Sequence, residues 1–569
     1  MFKRACSDMQ VGPTTGAMFS ATQLLTITLL SVSASALDER STPLTSSFGP
    51  VVDLGYAAYA GNATLPNITF YGGIPYIRPP VGNLRFATPH QLDESPRPLS
   101  NADVVDARNW GPICIQQPAV VGIGNEDCVT LNIWTPSNAT SKSKLPVYVY
   151  IHGGGTTTTR FPANDWVARS DGGLIAIAIQ YRLGLLGFLS GSEITEYPTA
   201  GPNNGLFDQR AALEWIQRHI KAFGGDPTKV TIGGQSTGAG SVVLHLTAYG
   251  GEQNPPFRAA IIESSGNDPF YTDEHSEECF GNVTQAVGCT GAEDVIACLR
   301  SANIGAIVSA VNNKPSTCKY EPVIDGDYIP DITSILLTEG NFSKVPILAG
   351  HTAQDGSIFV GSNTSITTDA QVVAAILGRY PLLPSNVTDA MLVTYPPPSN
   401  NTIWKTQWER AMYAYQGSEL ANWDFYIGNV SGQPAYNYRW DAPDPNLIAS
   451  RGAYVGAAHT SELFYLYDGT NSGPSSAEAL PVFTVFNSTQ DALARQAVAW
   501  WSSFARSLDP NTYAIAGSPM WELASTGGFM IADQGFNTTT PTGSVMGVRT
   551  ADDVERLAWW RSVGTELRL

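Results

Sequence analysis

Basic charge, histidine, metal-ligand spacings and long apolar runs are all scarce in this 569-residue chain. Lys and Arg total 32 against 50 Asp and Glu, a net charge of -18, which disfavours nucleic acid or an anionic membrane as partner because phosphate binding needs a cationic surplus. Charged residues make up 14% and apolar residues 43%, far from the profile of a disordered chain and enough to bury a large core. Beyond the N-terminal segment no stretch is apolar for long enough to span a bilayer. The seven cysteines contain no C-x₂-C pair and no histidine at ligand spacing, so a zinc site is disfavoured and no metal is expected. No repeat, low-complexity tract or Pro/Gly/Ser-rich linker divides the chain, and a single large domain over 37–569 is expected despite its length.

The first 36 residues read as a secretory signal: Lys3 and Arg4, an apolar stretch from Leu24 to Val32, then Ala34-Ser35-Ala36 as a small-residue cleavage site before Leu37. The polar lead-in is long for such a signal, which makes Met18 an alternative start. The C-terminal Glu-Leu-Arg-Leu is neither a retention nor a lipid-anchor signal. Cys6 falls in the discarded segment and leaves an even six, Cys114, Cys128, Cys279, Cys289, Cys298 and Cys318, suited to disulfides in an oxidising compartment. Sequons at Asn62, Asn67, Asn138, Asn282, Asn341, Asn363, Asn386, Asn400, Asn429, Asn487 and Asn537 point the same way, to an extracellular protein carrying N-linked glycans.

What is present is a glycine-flanked serine. Val230-Thr231-Ile232 is a β-branched run that stops at Gly234-Gln235-Ser236-Thr237-Gly238, the frame of a nucleophile elbow. A strand turning sharply into a helix leaves one hydroxyl clear of the backbone, and small residues two before and two after let the chain approach itself. G-x-S-x-G is common by chance; the strand-like run before it and the buried-helix pattern from Ala239 to Tyr249 after it make this instance specific. Around it, Val147 to Ile151, Leu174 to Gln180, Val230 to Ile232 and Pro346 to Ala349 read as buried strands, and Leu206 to Phe223 as an amphipathic crossover helix ended by Gly224-Gly225. This is the pattern of an α/β fold, a mostly parallel sheet with helices on both faces and its chemistry beyond the carboxyl ends of the strands.

At the end of the first of these strands, His152-Gly153-Gly154-Gly155 would leave backbone N–H groups open to an oxyanion; alone it would read as a flexible turn. A serine nucleophile also needs a base and an acid, which in this fold follow it in the order acid, histidine. His90, His152 and His219 precede Ser236, His245 lies on the helix leaving it, His275 sits beside Cys279, and His351 comes too early to leave an acid-bearing segment behind Ser236. His459 remains, in the small-residue loop Gly456-Ala457-Ala458-His459, although a lone histidine is by default a hydrogen-bonded structural residue. For the acid, Asp355 follows the fourth strand, with Asp325 and Asp327 as rivals.

Laid side by side, these segments resemble the type-B carboxylesterases, the α/β-hydrolase family of cholinesterases, liver carboxylesterases and secreted fungal lipases and esterases. The likeness covers nearly the whole mature chain. It includes Gly73-Ile74-Pro75-Tyr76, Leu84-Arg85-Phe86, Glu126-Asp127-Cys128, Tyr181-Arg182, Asn204-Gly205-Leu206, Phe223-Gly224-Gly225-Asp226-Pro227, Gln354-Asp355-Gly356-Ser357 and Ala458-His459 with Ser461-Glu462. The resemblance implies an α/β-hydrolase fold with loop and helical insertions forming a gorge. It implies Ser236 as nucleophile, His459 as base and then acid, Asp355 as its orienting partner, and Gly154, Gly155 and Thr237 as oxyanion donors. It further implies ion pairs Arg85 with Glu126 and Arg182 with Asp208, and disulfides Cys114 to Cys128 and Cys289 to Cys298, which leaves Cys279 to Cys318. Three positions depart from the family pattern: Gln235 stands where glutamate is usual, Thr237 where alanine is, and Thr156 where an aromatic often follows the glycine loop.

The expected activity is hydrolysis of soluble carboxylic esters through an acyl-enzyme, with no cofactor, a small-molecule ester as partner and an unassigned oligomeric state. A glyceride or sterol-ester lipase and a feruloyl-type esterase are the alternatives. A cholinesterase is disfavoured because the loop between Cys114 and Cys128 holds no tryptophan to stack on a quaternary ammonium. That loop, Ile115 to Asp127, is also too short for a long amphipathic lid, which favours dissolved substrates over lipid surfaces. Adhesion proteins that keep the fold without the nucleophile are the non-catalytic reading, disfavoured here because all three triad candidates are kept.

Overall fold

The strand Leu145–Ile151 sends Val147, Val149 and Ile151 to one side and Tyr148 and Tyr150 to the other, and every one of them is buried. A strand apolar on both faces must be covered on both faces. On the first side those residues meet Ile175, Ile177 and Ile179 of the neighbouring strand and Ala212, Leu213 and Ile216 of the crossover helix. On the second, Ala176 and Ala178 are small and leave room for aromatic rings, so that Tyr148 stacks on Trp166 at 3.9 Å, with Trp500 and Trp501 in the same cluster. Each aliphatic side chain buried in this way contributes about 1.5–3 kcal/mol.

This computed structural model describes residues 43–118, 124–154, 161–266, 269–313, 315, 317–419, 422–469, 483–533 and 542–569. Among the described residues, ten strands make the main sheet. In chain order they are Ile68–Pro75 (β1), Thr130–Pro136 (β2), Leu145–Ile151 (β3), Ile175–Ile179 (β4), Gly225–Gln235 (β5), Ala259–Glu263 (β6), Ile347–Thr352 (β7), Ala435–Trp440 (β8), Gly528–Ala532 (β9) and Val545–Val548 (β10). They lie in the order β10-β9-β8-β7-β6-β5-β3-β4-β2-β1. Strands β3 to β9 pair in parallel, whereas β1, β2 and β10 at the edges are antiparallel to their neighbours. Val51–Asp53, Ala58–Ala60 and Val104–Asp106 form a separate three-stranded sheet. This is the mostly parallel α/β sheet that the alternation of strands and helices predicts, in the α/β-hydrolase arrangement that the family resemblance implies.

All four predicted strands are present. The third is longer than expected, because β5 begins at Gly225 and runs through to Gln235. The crossover helix is Asn204–His219 (α1), with Ile220–Phe223 tightened into a 3₁₀ turn that Gly224 ends at φ 95°. The helix after the serine is Thr237–Thr247 (α2); it stops short of the expected Tyr249, which adopts φ 55° in a following turn. Two further helices bear on the site, Gln407–Ser418 (α3) and Ser488–Ser507 (α4).

Disulfides join Cys114 to Cys128, Cys279 to Cys318 and Cys289 to Cys298. Arg85 grips Glu126 through two hydrogen bonds of 2.6 and 2.8 Å, and Arg182 grips the fully buried Asp208 through two of 2.7 Å. Removing one partner of such a buried pair strands the other charge, at a cost of about 3–5 kcal/mol. Among the described residues no single helix is long and apolar enough to cross a membrane. The signal segment, Met18, Gly155, Thr156 and Asn537 lie outside the described residues.

Candidate active site

Strand β5 ends at Gln235 and helix α2 begins at Thr237, which leaves Ser236 alone on the turn at φ 60°, ψ -130°. Holding a non-glycine residue in so sparsely populated a region costs about 1–3 kcal/mol, and the surrounding packing enforces it. A Cβ on Gly238 would stand 2.1 Å from the Ile151 carbonyl oxygen, and one on Gly234 2.5 Å from the Gly238 carbonyl carbon, so neither flanking glycine admits a side chain. Hydrogen bonds pin the turn from outside: Ser236 N–H donates to the Glu263 carbonyl at 3.0 Å, and Gly266 N–H to the Ser236 carbonyl at 3.1 Å. The serine, unlike Gln235 before it, is partly exposed.

The glycine loop packs directly on this turn. A Cβ on Gly153 would meet the Gln235 carbonyl oxygen at 2.2 Å and Ser236 Cβ at 2.9 Å, and Gly154 takes φ 105°. Gly154 and Thr237 therefore flank Ser236 from two elements; Gly155, the third expected oxyanion donor, is outside the described residues. His152 belongs to the scaffold. Burial pushes its imidazole down to about 4 against the Gly153 carbonyl contact, and its ring stacks on Tyr181 at 4.4 Å.

Two loops bring acid and histidine together. Gln354 and Ala458 form a parallel bridge, Gln354 N–H donates to the Ala457 carbonyl at 2.9 Å, and Ala457 N–H to Gln354 Oε1 at 2.8 Å. Across this clasp His459 Nδ1 lies 2.6 Å from Asp355 Oδ1. Asp355 is completely buried; Thr352 N–H donates to its Oδ2, and its own N–H donates to Gln416 Oε1 of α3. Burial alone would raise its pKa, but the His459 ring, reinforced by His351 and the Ser264 hydroxyl, holds it below the usual carboxylate value. With Nδ1–H given to the carboxylate, His459 Nε2 keeps its lone pair, and the Gln235 side-chain nitrogen stands 3.3 Å from it. Phe359 packs edge-on against the ring at 5.0 Å.

Asp325, His351 and His245 are committed elsewhere. Asp325 accepts from the Asp327 and Ile329 backbone and from Asn203 Nδ2, closing a turn after Val323. His351, on β7, lines a cavity of about 330 Å³ with Gln354, Gln416 and Arg439, and burial pushes it down to about 3 despite the pull of Asp355. His245, between Tyr328 and Gln209, is likewise buried and pushed to about 3.

Three features went unseen in the sequence. Gln416 supports the Asp355 backbone from 61 residues away. Glu263, opposite Gln235 in the sheet, is a fully buried carboxyl that accepts from Trp501 Nε1 at 2.6 Å. Arg379 and Glu419 form an ion pair close to Ser236. No motif announces any of them, because each depends on a contact between distant segments.

The carboxylesterase family model matches residues 49–540. Secreted lipase 1 of Botryotinia fuckeliana is 32% identical over 57% of this chain, which spans 63% of that relative's length, less than two thirds. A secreted lipase of Arthroderma benhamiae is 30% identical over 81% of this chain and 84% of its own. The crystal structure of Aspergillus niger EstA superposes with a TM-score of 0.78 at 29% identity, covering 92% of this chain and 99% of that one. With a family match over most of the sequence and a relative aligned along most of its own length, the chain belongs to the carboxylesterase family.

Proposed function

We propose that the protein is a secreted serine esterase acting on soluble carboxylic esters through Ser236, His459 and Asp355. The observation that carries this reading is the serine held on a strained turn next to Gln235, whose side-chain nitrogen stands 3.3 Å from Nε2 of an imidazole with its Nδ1 engaged by a buried carboxylate. His459 Nε2 takes the Ser236 proton as Oγ attacks the ester carbonyl, and the oxyanion is received by N–H groups of Gly154, Gly155 and Thr237. The alcohol leaves with the proton from Nε2. Water, deprotonated by the same nitrogen, then attacks the acyl-enzyme and releases the acid and the free serine. Asp355 keeps its charge throughout, fixing the tautomer and stabilising the imidazolium. Each step uses protein groups and water.

Secretion rests on the signal-like N-terminus, the three disulfides and the secreted fungal relatives. A lipase is the second reading, favoured by the names of those relatives. Replacing Ser236 with Ala tests the mechanism: hydrolysis of a chromogenic butyrate ester should fall by at least about a thousandfold, and a serine-directed phosphonate should no longer add its mass. A variant that turns over at the wild-type rate overturns the proposal.

A further inference from the structure

Next to the loops that hold the candidate triad lies the cavity of about 330 Å³ already met at His351, and neither Ser236, Asp355 nor His459 lines it. Gln354 and Gln416 do, and each has given its side-chain oxygen to the triad loops: Gln354 Oε1 accepts from Ala457 N–H at 2.8 Å and Gln416 Oε1 from Asp355 N–H at 3.1 Å. What remains to each amide is its nitrogen, which has no hydrogen-bond partner among the described residues and is not sealed from solvent. Arg439 adds a third donor. Its Nε and Nη2 each grip Asp441 at 2.6 Å, which leaves Nη1 without a hydrogen-bond partner among the described residues. Arg556 meets Asp553 through Nη2 alone and lies over the Trp404 ring at 5.4 Å, so its Nε and Nη1 are spare as well. The two wall carboxylates are engaged: both oxygens of Asp441 accept from Arg439, and those of Asp553 accept from Arg556 and the Thr550 hydroxyl. A third guanidinium, Arg549, lines the same cavity.

A molecule entering here meets N–H donors whose natural complement is an acceptor. A carboxylate brings two oxygens and a charge, and its hydrogen bonds to guanidinium and amide N–H groups are charge-assisted. A neutral alcohol or an amine has too few acceptors and would leave most of these donors stripped of water without return. The remainder of the wall, with Trp404, Phe529, Ile403 and Leu557, is apolar and suits a ring more than a bare inorganic anion. An apolar cavity of about 150 Å³ already holds a benzene ring, so this one admits a ring that carries a short acidic arm.

We propose that this cavity is a second ligand site, separate from the site around Ser236, and that it takes a small aromatic carboxylate. Bound there, the acid accepts from the same two amides whose oxygens hold Asp355 and the His459 loop, so it touches the supports of the triad and not the triad itself. Calorimetric titration of the full chain with phenylacetate and with its uncharged isostere phenylacetamide tests this. The wild type should bind phenylacetate with a Kd below about 1 mM and phenylacetamide at least about tenfold more weakly. Two variants locate the site: Arg439→Met with Asp441→Asn, which strands neither charge, and Ile403→Glu, which sets a carboxylate in the wall from a position already 39% exposed. In each, phenylacetate should weaken by about tenfold or more and phenylacetamide by less than about twofold. If one variant does not fold, the other decides, and the comparison of the two ligands on the wild type needs neither. No saturable binding of phenylacetate, equal affinity for the two ligands, or an affinity for phenylacetate that the folded variants keep overturns the inference. None of these results bears on Ser236, so the esterase reading stands or falls by its own variant.

Discussion

Glu263 turns a buried acid into a measurable dependence of stability on pH. Its carboxyl is completely buried, accepts from Trp501 Nε1, and is pushed by burial from 4.5 to about 8, a rise that the indole only partly offsets. Between those values the folded protein keeps a proton that the unfolded chain has lost. Stability therefore falls as pH rises through this window, by about 1.4 kcal/mol per unit. At pH 7 the penalty is about 3 kcal/mol, and at pH 5 it is under about 1 kcal/mol. Glu263→Gln keeps the shape and the acceptor for Trp501 and is neutral throughout, so its gain in stability should follow the same curve. With an unfolding entropy of about 2.1 cal/mol/K per residue over some five hundred residues, 3 kcal/mol corresponds to a Tm shift of about 3 °C. Calorimetry of both proteins at pH 5 and pH 7 should show the variant close to wild type at the lower pH and about 3 °C more stable at the higher. A Tm difference that is the same at both pH values would mean that Glu263 is ionised in the fold, and would refute the reasoning.

Other expectations concern the site itself. His459→Ala should lower kcat by at least about a thousandfold, whereas His351→Ala, which removes a ring already neutral at working pH, should leave most activity; the reverse result in an ester assay would move the base. Gln235→Glu places a carboxylate beside the ring nitrogen and should favour the imidazolium, so the acidic limb of kcat/KM should move to higher pH; a limb that stays put shows that this side chain does not sense the imidazole. Rates on tributyrin should rise smoothly through its solubility limit, because the Cys114 to Cys128 loop is short; an abrupt jump when droplets form would favour the lipase reading.

The elbow, the glycine loop and the buried strands were legible in the sequence because each is a local matter. Gly234 and Gly238 are needed by the turn they flank, and a strand buried on both faces shows it in its own residues. Element ends were less legible: α2 gives way at Ala248 to a turn in which Tyr249 takes a positive φ, and β5 reaches back to Gly225. Residue counting left Asp355, Asp325 and Asp327 open. It is the bridge from Gln354 to Ala458, joining loops about a hundred residues apart, that puts Asp355 against His459 while Asp325 is spent on its own turn. The proton on Glu263, the loss of charge on His351 and the ion pair beside Ser236 were likewise decided by tertiary structure alone. Desolvation and the lining of a pocket depend on which distant segments close around a group, whereas backbone strain and hydrophobic periodicity are carried by neighbours along the chain.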